Sequence, residues 1–551
     1  MSSAPAPTRP PLRSRTHRLP VSGVLRLGRP SDIWFKPALS VVVAVAPPNL
    51  TLLALGRLDL AMYTMAGSLC ALYAHNRPYA ARARVLARVV LGMLGGLGVA
   101  LVTASLTTNA VVLVAVGALL AAAQKTMCDA TRVGPPGHVV LAFISSASLF
   151  VPQTLGQVPG HLALGAAAGA WAWIVGMAPG LVRPHGPERR ATAHALTAAA
   201  ASAQTPDDAR ARAAGAAAVH AAWESLLSTG ARTVPRRALE RLVVRAEVAL
   251  AAPADTDPDQ LRALARELAG TGPVARPDGL GDAADELLGV ETALAFGRRP
   301  LLSRLRPLAP IALRTAVGCA LAGCAALALG VGRPYWALVT AASLYQANIT
   351  LTWSRGVQRV VGNLVGVLLF AALAPLAHLG AASLVLCSLA LNFGAEALIS
   401  RNYWLGSVCV TPMALLITEF ARAQRPGELM ADRVLDTLVG ALAGLVAAVL
   451  VTNRRAGDRI EDALSAVERA REHAEGLLAE ERPGTGALES ARRTLSAAVV
   501  DLRASADAAA GEWWQRALPE ERVMRAEQAG HRTLAATVRR QGLHGREGAQ
   551  A

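Results

Sequence analysis

The chain has 551 residues, of which 53% are hydrophobic and only 17% charged. Soluble domains carry about a quarter of charged residues, so much of this chain must avoid water, and disordered, collagen-like and disulfide-scaffold classes are excluded. The net charge is +16, from 55 basic and 39 acidic residues, and nearly all the basic ones are arginines set between long apolar runs; that placement fits membrane topology better than a nucleic-acid groove, so no nucleic-acid partner is expected.

About 20 apolar residues make a helix that spans the hydrocarbon layer. Residues 1–37 read as a basic tail, with Arg9, Arg13, Arg15, Arg18, Arg26, Arg29 and Lys36. Six apolar stretches follow at 38–55, 60–75, 86–106, 110–127, 138–154 and 161–181, a first membrane repeat over 38–181. Pro47-Pro48 predicts a local break in the first of them. Residues 182–307 are rich in Ala, Arg and Glu, with helical apolar spacing at His194–Ala203, Ala209–Ser228 and Pro235–Ala251, and predict a helical cytoplasmic domain. Six more stretches at 308–330, 335–351, 357–377, 381–399, 403–420 and 433–452 build a second repeat over 308–452. Residues 453–551 predict a helical cytoplasmic region, amphipathic over Asp458–Glu481 and Ala487–Ala509. The predicted fold class is all-α: a polytopic membrane protein of about 12 transmembrane helices, in two parallel six-helix repeats with helical cytoplasmic regions.

Arginine and lysine mark the cytoplasmic side of such a protein. The tail, the loop with Arg77, Arg82 and Arg84, the Lys125–Arg132 loop, and Arg355, Arg359, Arg401, Arg454 and Arg455 fall on one side, against a sparser set on the other, with Arg57, Arg333 and a mixed-charge loop holding Arg422, Arg425 and Arg433. Both termini and the middle region are therefore expected in the cytoplasm, with the protein in the plasma (inner) membrane. Residues 1–30 lack the apolar core of a signal peptide. The halves also resemble each other. At an offset of 276, Leu53, Gly56, Arg57 and Thr64 match Leu329, Gly332, Arg333 and Thr340; at 271, Arg84, Arg88 and Gly95 match Arg355, Arg359 and Gly366. Each half holds an even number of helices starting on one side, which makes the repeats parallel, and sites in such proteins often lie between the halves.

Arg355 and Arg359 are four apart and share one helix face. They are placed at the predicted cytoplasmic start of a helix, whose N-terminus adds a partial positive charge. Arg84 and Arg88 repeat the arrangement. The four can draw organic anions towards a pore, or can act as snorkelling anchors. Asn363 and Glu396 are polar groups inside apolar helices, and an intramembrane Glu is a functional candidate or half of an ion pair. Thr411-Pro412 breaks a helix and can line a cavity or only kink it. Gly362/Gly366 and Gly440/Gly444 are spaced for close helix packing. Tyr335 and Trp336 read as an interfacial aromatic belt. The substrate-binding candidates are Arg355, Arg359, Arg84, Arg88, Asn363, Glu396 and Thr411. No catalytic constellation, phosphate loop or metal-ligand cysteine spacing is found, so neither an enzyme nor a cofactor, metal or ATP site is expected.

Tyr335-Trp336-Ala337, Arg355-x3-Arg359-x2-Gly362-x3-Gly366, Thr411-Pro412 and Arg433-x2-Asp436-Thr437-x2-Gly440 together resemble the fusaric-acid-resistance-like integral membrane family, which is similar to aromatic acid exporters and aluminium-activated malate transporters. The resemblance covers about 308–452, and the order of membrane and cytoplasmic parts resembles the longer bacterial members. It implies export or channelling of organic anions such as aromatic carboxylates. The expected partners are the lipid bilayer, a small organic anion and a second copy in a homodimer. With no ATP site, the driving force is expected to be the proton or membrane potential. The alternatives are a passive anion channel, and a non-transporting membrane scaffold with a cytoplasmic partner-binding domain.

Overall fold

The protein is seen here in a computed structural model that describes residues 23–28, 33–272, 305–451, 456–510 and 519–548, apart from 207, 229–232, 252, 271, 306–307, 347, 421–423 and 482–484. The tail arginines Arg9 to Arg18 and Arg29, with Arg422, Arg454 and Arg455, lie outside these residues. Among the described residues every regular element is helical. The first half holds α1 (Phe35–Ala54), α2 (Ala61–Ser68, extended by a 3-10 turn to Leu72), α3 (Tyr79–Leu106), α4 (Ala110–Ala130), α5 (Val139–Leu149) and α6 (Val158–Met177). Then come α7 (Gly186–Gln204), α8 (Ala209–Leu227), α9 (Val234–Ala251) and α10 (Pro258–Ala269). The second half holds α11 (Ala309–Ala328), α12 (Pro334–Leu344), α13 (Ile349–Ala377), α14 (Ala381–Ile399), α15 (Tyr403–Glu419) and α16 (Pro426–Leu450). The chain continues with α17 (Ala456–Ala479), α18 (Thr485–Ala510) and α19 (Glu520–Gly548).

Eight helices are long and apolar enough to cross a membrane: α1, α3, α4, α6 with its flanking turns, α11, α13, α14 and α16. The chain is thus a multi-pass helical membrane protein. Every predicted stretch contains a helix, yet α2, α5, α12 and α15 are shorter than a span. Eleven residues rise only about 16 Å, roughly half the hydrocarbon thickness. Backbone groups at the ends of such helices find no partners in lipid, so the helices must sit inside protein. All eleven residues of α12 are buried, and so are all of α2 except Met62.

Two boundaries and one break differ from the sequence reading. The stretch 335–351 is split: α12 ends at Leu344, and Asn348 caps α13 by accepting from the Leu351 amide at 2.8 Å. Arg355 and Arg359 therefore lie inside α13 and not at its start. Helix α1 runs unbroken through Pro47-Pro48. A proline at 47 frees the Val43 carbonyl, and the Trp171 indole of α6 donates to it at 3.0 Å, so the ladder is repaired from a neighbouring helix.

Within each half, the second helix packs on the sixth, the third on the fifth and sixth, and the fourth on the fifth. Between the halves α1 lies against α14, and α11 against α4. Glycines permit the closest crossings. A Cβ on Gly67 would strike the backbone of Gly165, Ala168 and Gly169 of α6; one on Gly444 of α16 would lie 3.3 Å from the Ala341 backbone of α12.

The two helical parts outside the bundle have cores of their own. Leu196, Trp223, Leu239, Leu242 and Leu261 fill one, and Ile460, Val467, Leu495 and Leu502 the other. They are joined by buried charge: Arg492 of α18 pairs with Glu489 on its own helix and with Glu247 of α9, while Arg493 stands 4.1 Å from the Trp223 ring centroid. Residues 24–28 cross the end of the second half, where the Gly28 amide donates to the Arg401 carbonyl at 2.9 Å and the Asn402 amide donates to the Val24 and Arg26 carbonyls.

Candidate functional site

The polar residues inside the second half converge where α12, α13, α15 and α16 meet. Glycine sets the spacing. A Cβ on Gly362 or Gly366 of α13 would come 2.6 Å from the Trp404 carbonyl or 2.7 Å from Thr411 Cβ of α15, so α13 meets α15 closely through its glycines, along one seam. Asn363 projects into the seam. Its amide donates to Thr437 Oγ1 of α16 at 2.8 Å, and Thr411 Oγ1 donates to its carbonyl oxygen at 2.7 Å. The two threonine hydroxyls also reach the Arg433 and Ser407 carbonyls of their own helices. One asparagine thus ties three helices together midway along α13.

Above and below this tie lie arginines. Towards the start of α13, the Arg359 guanidinium donates to the Tyr403 hydroxyl at 3.1 Å, and Arg355 stacks on the same ring at 3.6 Å. Arg359 is buried, and its Nε has no hydrogen-bond partner. Towards the start of α16, Arg433 is 2% exposed and sits 5.0 Å from the Trp336 ring centroid, as does Arg333. Stacking on an aromatic face compensates a guanidinium only in part. Arg433 Nε and Nη1, Arg333 Nη1 and Trp336 Nε1 lack hydrogen-bond partners. Asp436, one turn along α16, is 0% exposed, and its carboxylate faces the Ala337 amide of α12 and forms no ion pair with Arg433. Ionisable groups held in a membrane bundle without partners are costly, and they mark pathways for ions and substrates.

The depth of this second cluster follows from α12. Gly440 meets Ala337 and Thr340, and Gly444 meets Ala341 and Leu344. The first turn of α12 therefore falls beside the Arg433–Thr437 turn, level with Asn363. A helix N-terminus, with its partial positive charge, opens inside the bundle and not at its surface. Trp336 is 0% exposed there and Tyr335 7%, so neither belongs to an interfacial belt; the short α12 carries them inward.

Of the sequence candidates, Arg355, Arg359, Asn363 and Thr411 come together in this column. Arg84 is exposed on α3, and its guanidinium donates to the Ser228 carbonyl beyond α8 at 3.1 Å, so it fastens the middle domain to the bundle. Arg88 is exposed on α3. Glu396 is half-buried on α14, with no ion pair to Arg401 or any other described residue. Tyr403, Trp336, Arg433, Asp436 and Thr437 were not among the candidates; a basic and an acidic residue three apart in the apolar run of α16 is the signal that points to two of them. Among the described residues no group of three or more His, Cys, Asp or Glu is placed to hold a metal.

The fold and the site define a multi-pass helical membrane protein with a charged, arginine-rich interior. Residues 321–447, which run from α11 to α16 and hold the whole column, match the family described as fusaric acid resistance protein-like. The chain is also similar to a membrane protein of Bacillus subtilis (strain 168), YvaC, described as uncharacterized, at 32% identity over 190 residues, 34% of this chain and 29% of the relative. The chain thus matches less than a third of that relative's length. No solved structure matches.

Proposed function

We propose that this protein is a transporter that exports organic anions, aromatic or other carboxylic acids, across the plasma membrane, and is not an enzyme. In this reading all 12 membrane helices count, as two parallel repeats of six, with the short helices shielded by the long ones. The shared helix pairings of the two halves support it, as do the reciprocal contacts of α1 with α14 and α4 with α11. Both termini and the two helical domains face the cytoplasm, and the working unit is a homodimer.

The observation that carries the reading is the column itself: buried guanidinium groups with free donors, aligned with a helix N-terminus that opens at mid-depth. Anionic substrates of broken-helix transporters are held by such N-termini, and arginine suits a planar carboxylate. Arg355 and Arg359 stand at one end as the entry contacts, Asn363 and Thr411 line the middle, and Arg433 follows. An inside-negative potential favours anion exit by about 2.3 kcal/mol per charge per 100 mV.

The test is export of labelled benzoate from loaded proteoliposomes under a clamped potential and a set proton gradient. Export that follows the proton gradient at zero potential supports a coupled carrier. Export set by potential and benzoate gradient alone identifies a passive anion channel. Absence of flux for several anion classes leaves the scaffold.

A further inference from the structure

We infer that the Arg433–Arg333–Trp336 corner is an anion-binding site that takes a single oxyanion, a carboxylate or sulfonate, and that Asp436 is its built-in competitor. The inference rests on the reading of the chain as an anion transporter and adds to it a site and a control that the arginine pair of α13 does not supply. Four donor atoms at this corner, Arg433 Nε and Nη1, Arg333 Nη1 and Trp336 Nε1, are buried and unpartnered. The first turn of α12 adds the positive end of its helix dipole from the same level. None of these four donors is taken up by the Asp436 carboxylate beside them, so they stay available to an oxyanion.

Asp436 is the one carboxyl group fully buried beside them. It lies three residues from Arg433 on the same helix face, yet the two form no ion pair, and what its carboxylate faces on α12 is the Ala337 backbone amide. The other groups that face it are few. Its own helix brings Asp432 and Arg433. From α12 and its preceding turn come Tyr335, Arg333 and the Ala337 amide, while Arg359 of α13 and Tyr403 of α15 face its neighbour Arg433. Helix α11, also packed on α16, brings Arg314, which is held at the far end by the Val451 carbonyl at 3.0 Å. Arginines therefore dominate, and the charge of Asp436 decides how strongly they attract an anion. Ionised, it cancels one guanidinium and repels an incoming oxyanion. Protonated, it releases that guanidinium. A unit charge one helical turn from the ligand changes its affinity by about tenfold or more at a protein-like dielectric. Anion and proton consequently bind together, and acid opens the site.

The probe is benzenesulfonate, which stays charged from acid to alkaline pH, so any pH dependence belongs to the protein. Its binding to purified protein is measured by calorimetry, and its flux in proteoliposomes, across that pH range. Wild type is expected to bind and move it about tenfold better at acid than at alkaline pH. Asp436→Asn is expected to hold the acid-state value at every pH, and Arg433→Gln to lose binding at every pH while eluting as folded protein. A pH dependence that persists in Asp436→Asn, or Arg433→Gln binding as wild type does, overturns the inference. Binding with the expected pattern but no flux would keep the site and reject the transport reading instead.

Discussion

The crossing of α13 with α15 gives a stability test whose size can be worked from the contacts. In Gly362→Ala the new Cβ sits 2.6 Å from both the Trp404 carbonyl oxygen and Ser407 Cβ. A backbone oxygen cannot rotate aside, so α15 must move away. Overpacking of this kind costs about 1–3 kcal/mol, and the better helix propensity of alanine returns about 1 kcal/mol. The net expectation is a loss of up to about 2 kcal/mol. Gly95→Ala on α3 is the control, because nothing lies within 4 Å of its Cβ; there only the propensity gain of about 1 kcal/mol remains. Thermal unfolding of the purified proteins in detergent should place Gly362→Ala below wild type and Gly95→Ala above it. Since the displaced α15 carries Thr411 away from Asn363, anion export should fall with Gly362→Ala alone. A Gly362→Ala protein as stable as wild type would refute the account of the seam.

Three further outcomes are expected. Asn363→Leu removes both inter-helix bonds of the tie, each worth about 0.6 kcal/mol in a membrane interior, and should lower unfolding stability by about 1 kcal/mol; an unchanged midpoint contradicts the three-helix tie. Arg492→Ala strands Glu247 in a buried interface and leaves Glu489 with Arg493, and breaking such a pair costs about 3–5 kcal/mol; limited proteolysis should then cut between the two helical parts outside the bundle, and a wild-type digestion pattern argues against the interlock. Burial disfavours the charged Glu489, yet Arg492 and Arg493 hold its carboxyl down at about 2. A depressed carboxyl stabilises above its unfolded value of about 4.5 and loses that contribution as pH falls towards 2, so wild-type docking should loosen only on strong acidification, and Arg492→Ala, with Arg493 still on Glu489, should loosen at a higher pH.

Much of the fold was readable because lipid makes one demand, a long apolar run, and α1, α3, α13 and α14 meet it plainly. The short helices were misjudged for a physical reason. Tyr345 to Asn348 looks like the end of a span, but Asn348 has the side chain to cap a new helix, and it does so. Once α12 is cut at Leu344, its aromatic start moves from the membrane surface to the bundle interior, which the residues Tyr335-Trp336 do not announce by themselves. Depth is set elsewhere, by Gly440 and Gly444 against Ala337 and Ala341. The pair Arg355 and Arg359 was legible from its spacing, whereas Arg84 looked identical until the middle domain supplied the Ser228 carbonyl. Arg433 and Asp436 gained their meaning only when the structure buried both side by side without an ion pair between them.

The central claim, that the arginine-lined column of the second half carries organic anions, is tested most directly by benzoate export from proteoliposomes holding wild type or the Arg355→Ala, Arg359→Ala double variant. Charged hydrogen bonds of about 1.5–3 kcal/mol predict export lowered by about tenfold or more, with the variant still inserted and folded. Export equal to wild type in the folded double variant would contradict the claim and leave those arginines as membrane anchors.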